Sequence, residues 1–181
     1  SNFGINKRDL DIANILVENK KKYGYPEKFR TCFTKNSDEM IYDLANTLVK
    51  NNLEKGITLS FQSLDEVVLC NIKRQNIKVS TYKKLLGKFN KENISVYTEL
   101  ILGLPGENPK SWKKGIEEVL ESGLKGQLFV YPCEIYPNTE LALADYQGKF
   151  GIITKRIRLT ETHGLVRKKA DIPEFQDIVI G

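Results

Sequence analysis

Apolar positions recur along the chain with two alternating periods. From Lys7 to Gly24, the residues Leu10, Ile12, Ala13, Leu16 and Val17 fall at helical spacing, and Gly24 and Pro26 end the segment. Lys28 to Lys35 is a short β-rich run. Ser37, followed by acids and a stripe of Met40, Ile41, Leu44, Leu48 and Val49, predicts a capped helix. Gly56 to Ser63 reads as a strand, and Leu64 to Arg74 as a short helix. Ser80 to Asn93 is a capped amphipathic helix, and Ile94 to Gly103 a long strand. Asn108 to Gly123 is a helix with Trp112, Ile116, Val119 and Leu120 on one side. Lys125 to Cys133 is another strand, Pro137 to Gly151 holds a short helix, and Ile152 to Leu159 is strand-like. The final "FQDIVIG" alternates like the end of a strand.

Strands that alternate with helices across short connections predict right-handed βαβ units and a parallel α/β sheet. Ligands in such folds bind at the carboxyl ends of the strands. The unusual residues gather there, in "SNFG" before the first helix, "FQS" (Phe61, Gln62, Ser63), "GLPGE" (Gly103 to Glu107) and "YPCEIYPNTE" (Tyr131 to Glu140). Each has a plain structural use. Gly103 and Gly106 serve a turn shaped by Pro105. Ser63 fits as an N-cap, with Glu66 completing a capping box. Glu107 suits the start of the next helix. Glu99 is harder to explain, because a carboxylate inside an apolar parallel strand needs a partner or a ligand. "GLPGEN" lacks the Gly-Lys-Ser/Thr ending of a phosphate loop.

Composition narrows the class. With 181 residues, 40% hydrophobic and 28% charged, the chain is an ordinary globular domain with enough length for a real core. The net charge of +5 is spread in short runs, without the basic, aromatic-interleaved stripe of a nucleic-acid binder. No apolar run is long enough to span a membrane. Cys32, Cys70 and Cys133 are too far apart for a local metal motif or a disulfide framework, which suits a reducing cytoplasm. Cys70 is expected to pack in the core. The single histidine, His163, excludes a poly-histidine metal site.

Taken together, "SNFGINKRDLDIA", "LSFQSLDEVVLCNIKRQNI", "TELILGLPGENPKSWKKGIEEVLESG" and "YPCEIYPNTELALADYQGKFGI" resemble the radical S-adenosylmethionine (radical SAM) core, of the type that often follows a cobalamin-binding domain. The resemblance implies a partial (β/α) barrel over residues 1–158 that lacks its first βα unit. Residues 159–181 would begin a C-terminal extension. It also implies a [4Fe–4S] cluster, S-adenosylmethionine reductively cleaved to a 5′-deoxyadenosyl radical or used for methyl transfer, and cobalamin. The partners would be a small-molecule or peptide substrate and a flavodoxin- or ferredoxin-type electron donor, with no nucleic acid and no membrane. Asn2 and Phe3 would border the methionine end of the cofactor. Gln62 and Ser63 would lie near its ribose or carboxylate, and Arg74 would grip the carboxylate as a fixed fork. Glu99 would accept from the ribose hydroxyls, while Ile101, Gly103 and Pro105 would cradle adenine. Tyr131, Cys133 and Glu134 would face substrate. The family's Cys-x-x-x-Cys-x-x-Cys is absent from the sequence, which implies an inactive piece of a longer enzyme whose cluster loop lies upstream. Two other possibilities are a non-catalytic α/β scaffold module and a barrel enzyme using Glu99 and Glu107 as acid and base.

Overall fold

A computed structural model describes residues 3–33, 39–158 and 175–181. The elements run α1 (Arg8–Tyr23), α2 (Glu39–Lys50), β1 (Gly56–Thr58), α3 (Glu66–Asn71), α4 (Val79–Lys91), β2 (Ser95–Leu102), α5 (Pro109–Glu121), β3 (Leu128–Pro132), β4 (Glu134–Ile135), a 3-10 turn (Glu140–Ala142), α6 (Ala144–Phe150), β5 (Thr154–Arg158) and β6 (Phe175–Val179). β1, β2 and β3 form a parallel sheet in that order, with α3 and α4 crossing over before β2 and α5 before β3. This is the α/β architecture that the two periods dictate.

β2 shows why the sheet has two distinct faces. Side chains alternate across a strand, and Val96, Thr98 and Leu100 are buried while Tyr97, Glu99 and Ile101 are half-exposed. The buried row joins one cluster with Ile57 of β1, Leu85, Leu86 and Phe89 of α4, and Ile41, Leu44 and Leu48 of α2. Thr98 is satisfied there by the Tyr82 hydroxyl. The other row looks away from the helices. Register places Thr58 beside Tyr97, Glu99 beside Phe129 and Ile101 beside Tyr131, so these side chains share the inner face. Gly126 brings β3 close to β2, because a Cβ there would lie 1.9 Å from the Val96 carbonyl oxygen.

Several elements depart from the sequence pattern, each for a local reason. The run from Lys28 forms no regular strand among the described residues, only a parallel bridge between Phe3 and Phe33. β1 ends at Thr58 rather than Ser63. Gln62 has φ of 70°, which breaks the pleat, although Leu59 N still donates to Tyr97 O and Ile101 N to Gln62 O, both at 2.8 Å. α3 is capped by Asp65, whose carboxylate accepts from Val67 N and Val68 N, so Ser63 and Glu66 do not form the expected box. α4 has Lys78 at its N-cap, with no side-chain cap bond. Cys70 is exposed, because Val68, two residues away and so on the opposite side of the helix, takes the buried position. Ile12 and Leu120 are exposed for the same reason of helical phase.

The tail is not parallel. β6 pairs antiparallel with both β4 and β5 in a second sheet of order β4-β6-β5. Asn2, Ser37 and His163 lie outside the described residues. Among the described residues, no helix is long and apolar enough to cross a membrane.

Candidate functional site

The carboxyl ends of β1 and β2 are joined by side chains that the sequence scatters over 44 positions. Arg74 Nε donates to Asn76 Oδ1 at 3.3 Å, and Asn76 Nδ2 donates to Ser63 O at 2.6 Å. Ser63 Oγ donates to Glu107 Oε1 at 3.4 Å, and the other carboxylate oxygen accepts from Gly103 N at 3.2 Å. Arg74, Ser63, Gly103 and Glu107 are thereby brought into one network, with Gln62 adjoining Ser63. Arg74 is half-buried, and burial lowers its guanidinium below the ordinary arginine value. Asn76 is its one side-chain partner among the described residues, with no ion-paired carboxylate. A half-buried cation without a counter-ion is costly unless an anion arrives.

On the inner face, Ser60 Oγ donates to Glu99 Oε2 at 2.7 Å. Among the described residues the strand carboxylate thus has one fixed side-chain partner, and its second oxygen is left to accept from a ligand hydroxyl. Ile101 and Tyr131 lie side by side in register, and the Tyr131 ring stacks on Phe129 with centroids 6.2 Å apart. Phe3 is placed from the other direction. Its amide donates to Cys32 O at 2.8 Å, and its ring meets Phe29 edge-on.

The glycine turn is packed differently from expectation. A Cβ at Gly103 would meet Val179 Cγ1 at 3.3 Å, and one at Gly106 would meet Asn71 Nδ2 at 2.5 Å. Both glycines have positive φ, 89° and 86°. Their bare α-carbons therefore admit the chain's own β6 and α3. The buried Pro105 turns its carbonyl to Asn71 Nδ2 at 3.0 Å. What these residues leave toward a ligand is the strand backbone and the Ile101 face, not an empty space above the glycines.

Two expectations need correction. Glu107 is not a solvated helix-start charge. α5 is capped by Asn108 in a box with Ser111, which frees Glu107 to fold back onto Gly103 and Ser63. Cys133 does not face an open groove. It is 3% exposed and packs with Val68 and Leu104, and burial, then the charges of Glu107 and Glu134, push its thiol up to about 11. Glu134 accepts from the Tyr136 hydroxyl at 2.6 Å. Glu99 and Glu107 are bound to different partners and do not form an acid–base pair. Sequence reasoning missed Asn76, whose only signal was its position two residues after Arg74. It also missed Asn71 and Val179, which carry no local signal.

Burial, ahead of the opposing bonds from Gly103 and Ser63, raises the Glu107 carboxyl above its ordinary 4.5. The folded chain therefore holds this proton more tightly than the unfolded chain. Its contribution to stability is fully present below the ordinary value and is lost as pH rises through the raised one. Glu107→Gln keeps an acceptor for Gly103 and removes the charge. Relative to the parent, the variant's urea midpoint at about pH 7 should rise against its midpoint at about pH 4. An unchanged difference would mean that Glu107 is solvated.

No protein-family model matches the chain. Over 154 residues, 85% of its length, the chain is 42% identical to the cobalamin-dependent radical SAM methyltransferase TokK of Streptomyces tokunonensis. Over 159 residues, 88% of its length, it is 40% identical to the 2-(S-pantetheinyl)-carbapenam-3-carboxylate methyltransferase of Streptantibioticus cattleyicolor. It spans 23% of the length of each of these relatives. Among solved structures it resembles the radical S-adenosylmethionine methyltransferase TsrM of Kitasatospora setae, solved with tryptophan and a SAM analogue. The TM-score is 0.56 at 13% identity, covering 78% of this chain and 28% of that one. TsrM with cobalamin and a [4Fe-4S] cluster bound gives 0.55 at 12% identity. At these identities the likeness is one of fold.

Proposed function

The chain belongs to the radical SAM superfamily, and from that premise we propose that it forms the S-adenosylmethionine-binding wall of a cobalamin-dependent methyltransferase. The observation that carries the proposal is Arg74, a half-buried guanidinium without a carboxylate partner among the described residues, tied through Asn76 and Ser63 to the Gly103 turn. Its planar fork suits the carboxylate of the methionine moiety. The free oxygen of Glu99 suits a ribose hydroxyl, and Ile101 offers an apolar surface to adenine. S-adenosylmethionine, when bound, supplies the methyl group. The chain's own residues grip its charged end, orient its ribose and exclude water from one side of its base. Tyr131 and Phe129, on the same inner face, would line the approach of substrate.

The described residues do not fit a [4Fe–4S] cluster. Cys32 and Cys70 are exposed on separate segments and Cys133 is buried, and no group of three or more metal-ligating side chains converges among them. The cluster's ligands would come from other residues of the whole protein, and this chain alone is expected to be inactive. Cobalamin, a flavodoxin- or ferredoxin-type electron donor and a cytoplasmic setting complete the proposal. The relative's name suggests a substrate that combines a carboxylate with a pantetheinyl thioether. The test follows a 13C-methyl label from S-adenosylmethionine in the full-length protein, reconstituted anaerobically with cobalamin and offered such a carbapenam. Label on the substrate carbon is the expected result. 5′-Deoxyadenosine without any methylated product would redirect the function to another radical reaction.

A further inference from the structure

α3 ends in a left-handed turn, with Lys73 at φ of 52° and Arg74 N donating to Leu69 O at 2.9 Å. An arginine just past a helix ordinarily turns its guanidinium onto the last carbonyls. Arg74 does not. Its Nε donates to Asn76 Oδ1 at 3.3 Å, and its two terminal nitrogens have no hydrogen-bond partner among the described residues.

Asn76 is anchored at its other end. Its Nδ2 donates to Ser63 O at 2.6 Å. Only this orientation of the amide fits, because Nε–H can only donate and a carbonyl can only accept. The anchor is itself fixed. Ser63 is 3% exposed, and its Oγ accepts from Asp65 N at 3.2 Å and donates to Glu107. Ile77, the next residue after Asn76, packs against the core around β1 and β2.

A guanidinium offers a carboxylate two edges, one made by Nε and a terminal nitrogen, the other by both terminal nitrogens. Asn76 occupies the first and leaves the second. It is also neutral. An acidic residue would orient the fork equally well but would cancel the charge that a ligand must meet. Arg74 is half-buried and has no ion-paired carboxylate among the described residues, so its cation is oriented and left uncompensated.

We infer that Asn76 is a positioning residue for the S-adenosylmethionine site: its amide, strung between Ser63 O and Arg74 Nε, holds the guanidinium with both terminal nitrogens toward the methionine carboxylate. This rests on the function proposed above. Asn76 touches no ligand itself. It orders a long side chain before the ligand arrives, so that binding does not have to do so.

Equilibrium dialysis of radiolabelled S-adenosylmethionine against the chain tests this, in the parent and the Arg74→Ala background, with thermal midpoints in parallel. Asn76→Ala should raise the dissociation constant about 2- to 10-fold, the cost of ordering one long side chain on binding. In the Arg74→Ala background the same substitution should change nothing, because there is no fork left to hold. Asn76→Asp keeps the acceptor for Nε but supplies a counter-ion, and should also weaken binding; it serves alone if Asn76→Ala does not fold. In the 15N-labelled chain without ligand, the Arg74 Nε–H should lose protection from solvent exchange in Asn76→Ala. A folded Asn76→Ala that binds like the parent, or that loses as much affinity without Arg74 as with it, would overturn the inference. So would an Asn76→Asp variant of parental affinity. A parent chain that retains no label, or an Arg74→Ala chain that binds like the parent, would overturn the proposed function together with it.

Discussion

Phe61→Ala is expected to cost about 3–5 kcal/mol of folding stability, the range for removing a buried aromatic from a packed core. Phe61 is 2% exposed and meets Tyr82 of α4 edge-on, with ring centroids 4.5 Å apart. It lies between Ser60, which holds Glu99, and Gln62, whose carbonyl accepts from Ile101 N. Its ring fastens the irregular end of β1 to the helical layer, while backbone bonds with Tyr97, Glu99 and Ile101 continue its link to β2. Urea unfolding should show a lower midpoint with an unchanged slope. A loss below about 1 kcal/mol would mean that the site end of β1 is held by its backbone bonds and not by this ring.

Arg74→Ala should leave stability nearly unaltered and weaken S-adenosylmethionine binding. A hydrogen bond to a charged group contributes roughly 1.5–3 kcal/mol, or about 10- to 100-fold in affinity. Stability should be spared because Arg74 has no ion-pair partner among the described residues to leave behind, and its bond to Asn76 is long. Arg74→Lys should recover part of the affinity, since a lysine restores the charge without the fork. Calorimetric titration of the three proteins measures this order. Equal affinities would remove Arg74 from the site. A large loss of stability in Arg74→Ala would assign it to the α3 end instead.

The long amphipathic elements were legible in the sequence because their patterns are set locally. The stripe of α2 needed only helical periodicity, and the Pro109 start of α5 needed only residues 108–111. The short strand β1 was overestimated because Gln62 adopts a left-handed conformation that its residue type does not announce. β4 and β6 were harder, since their pairing joins residues more than 40 positions apart. Within the site, a strand-end position pointed to Gln62 and Ser63, a carboxylate inside an apolar strand pointed to Glu99, and the family resemblance pointed to Arg74. The parts that depended on packing were not visible. Glu107 folds inward only because Asn108 has taken over the cap. Gly103 is a glycine because Val179, 76 residues later, packs against it. Cys133 is buried because β6 closes over the ends of β2 and β3, with Val179 N donating to Cys133 O at 2.9 Å.

The central claim is that the carboxyl ends of β1 and β2 form an S-adenosylmethionine wall, and amide chemical shifts test it most directly. On titration of S-adenosylmethionine into the 15N-labelled chain, the largest perturbations should fall on Gln62, Arg74, Ile101 and Gly103, and in Arg74→Ala should need about 10- to 100-fold more ligand to reach half their size. Perturbations confined to the opposite ends of the strands, around Gly56, Tyr97 and Gln127, would contradict the account.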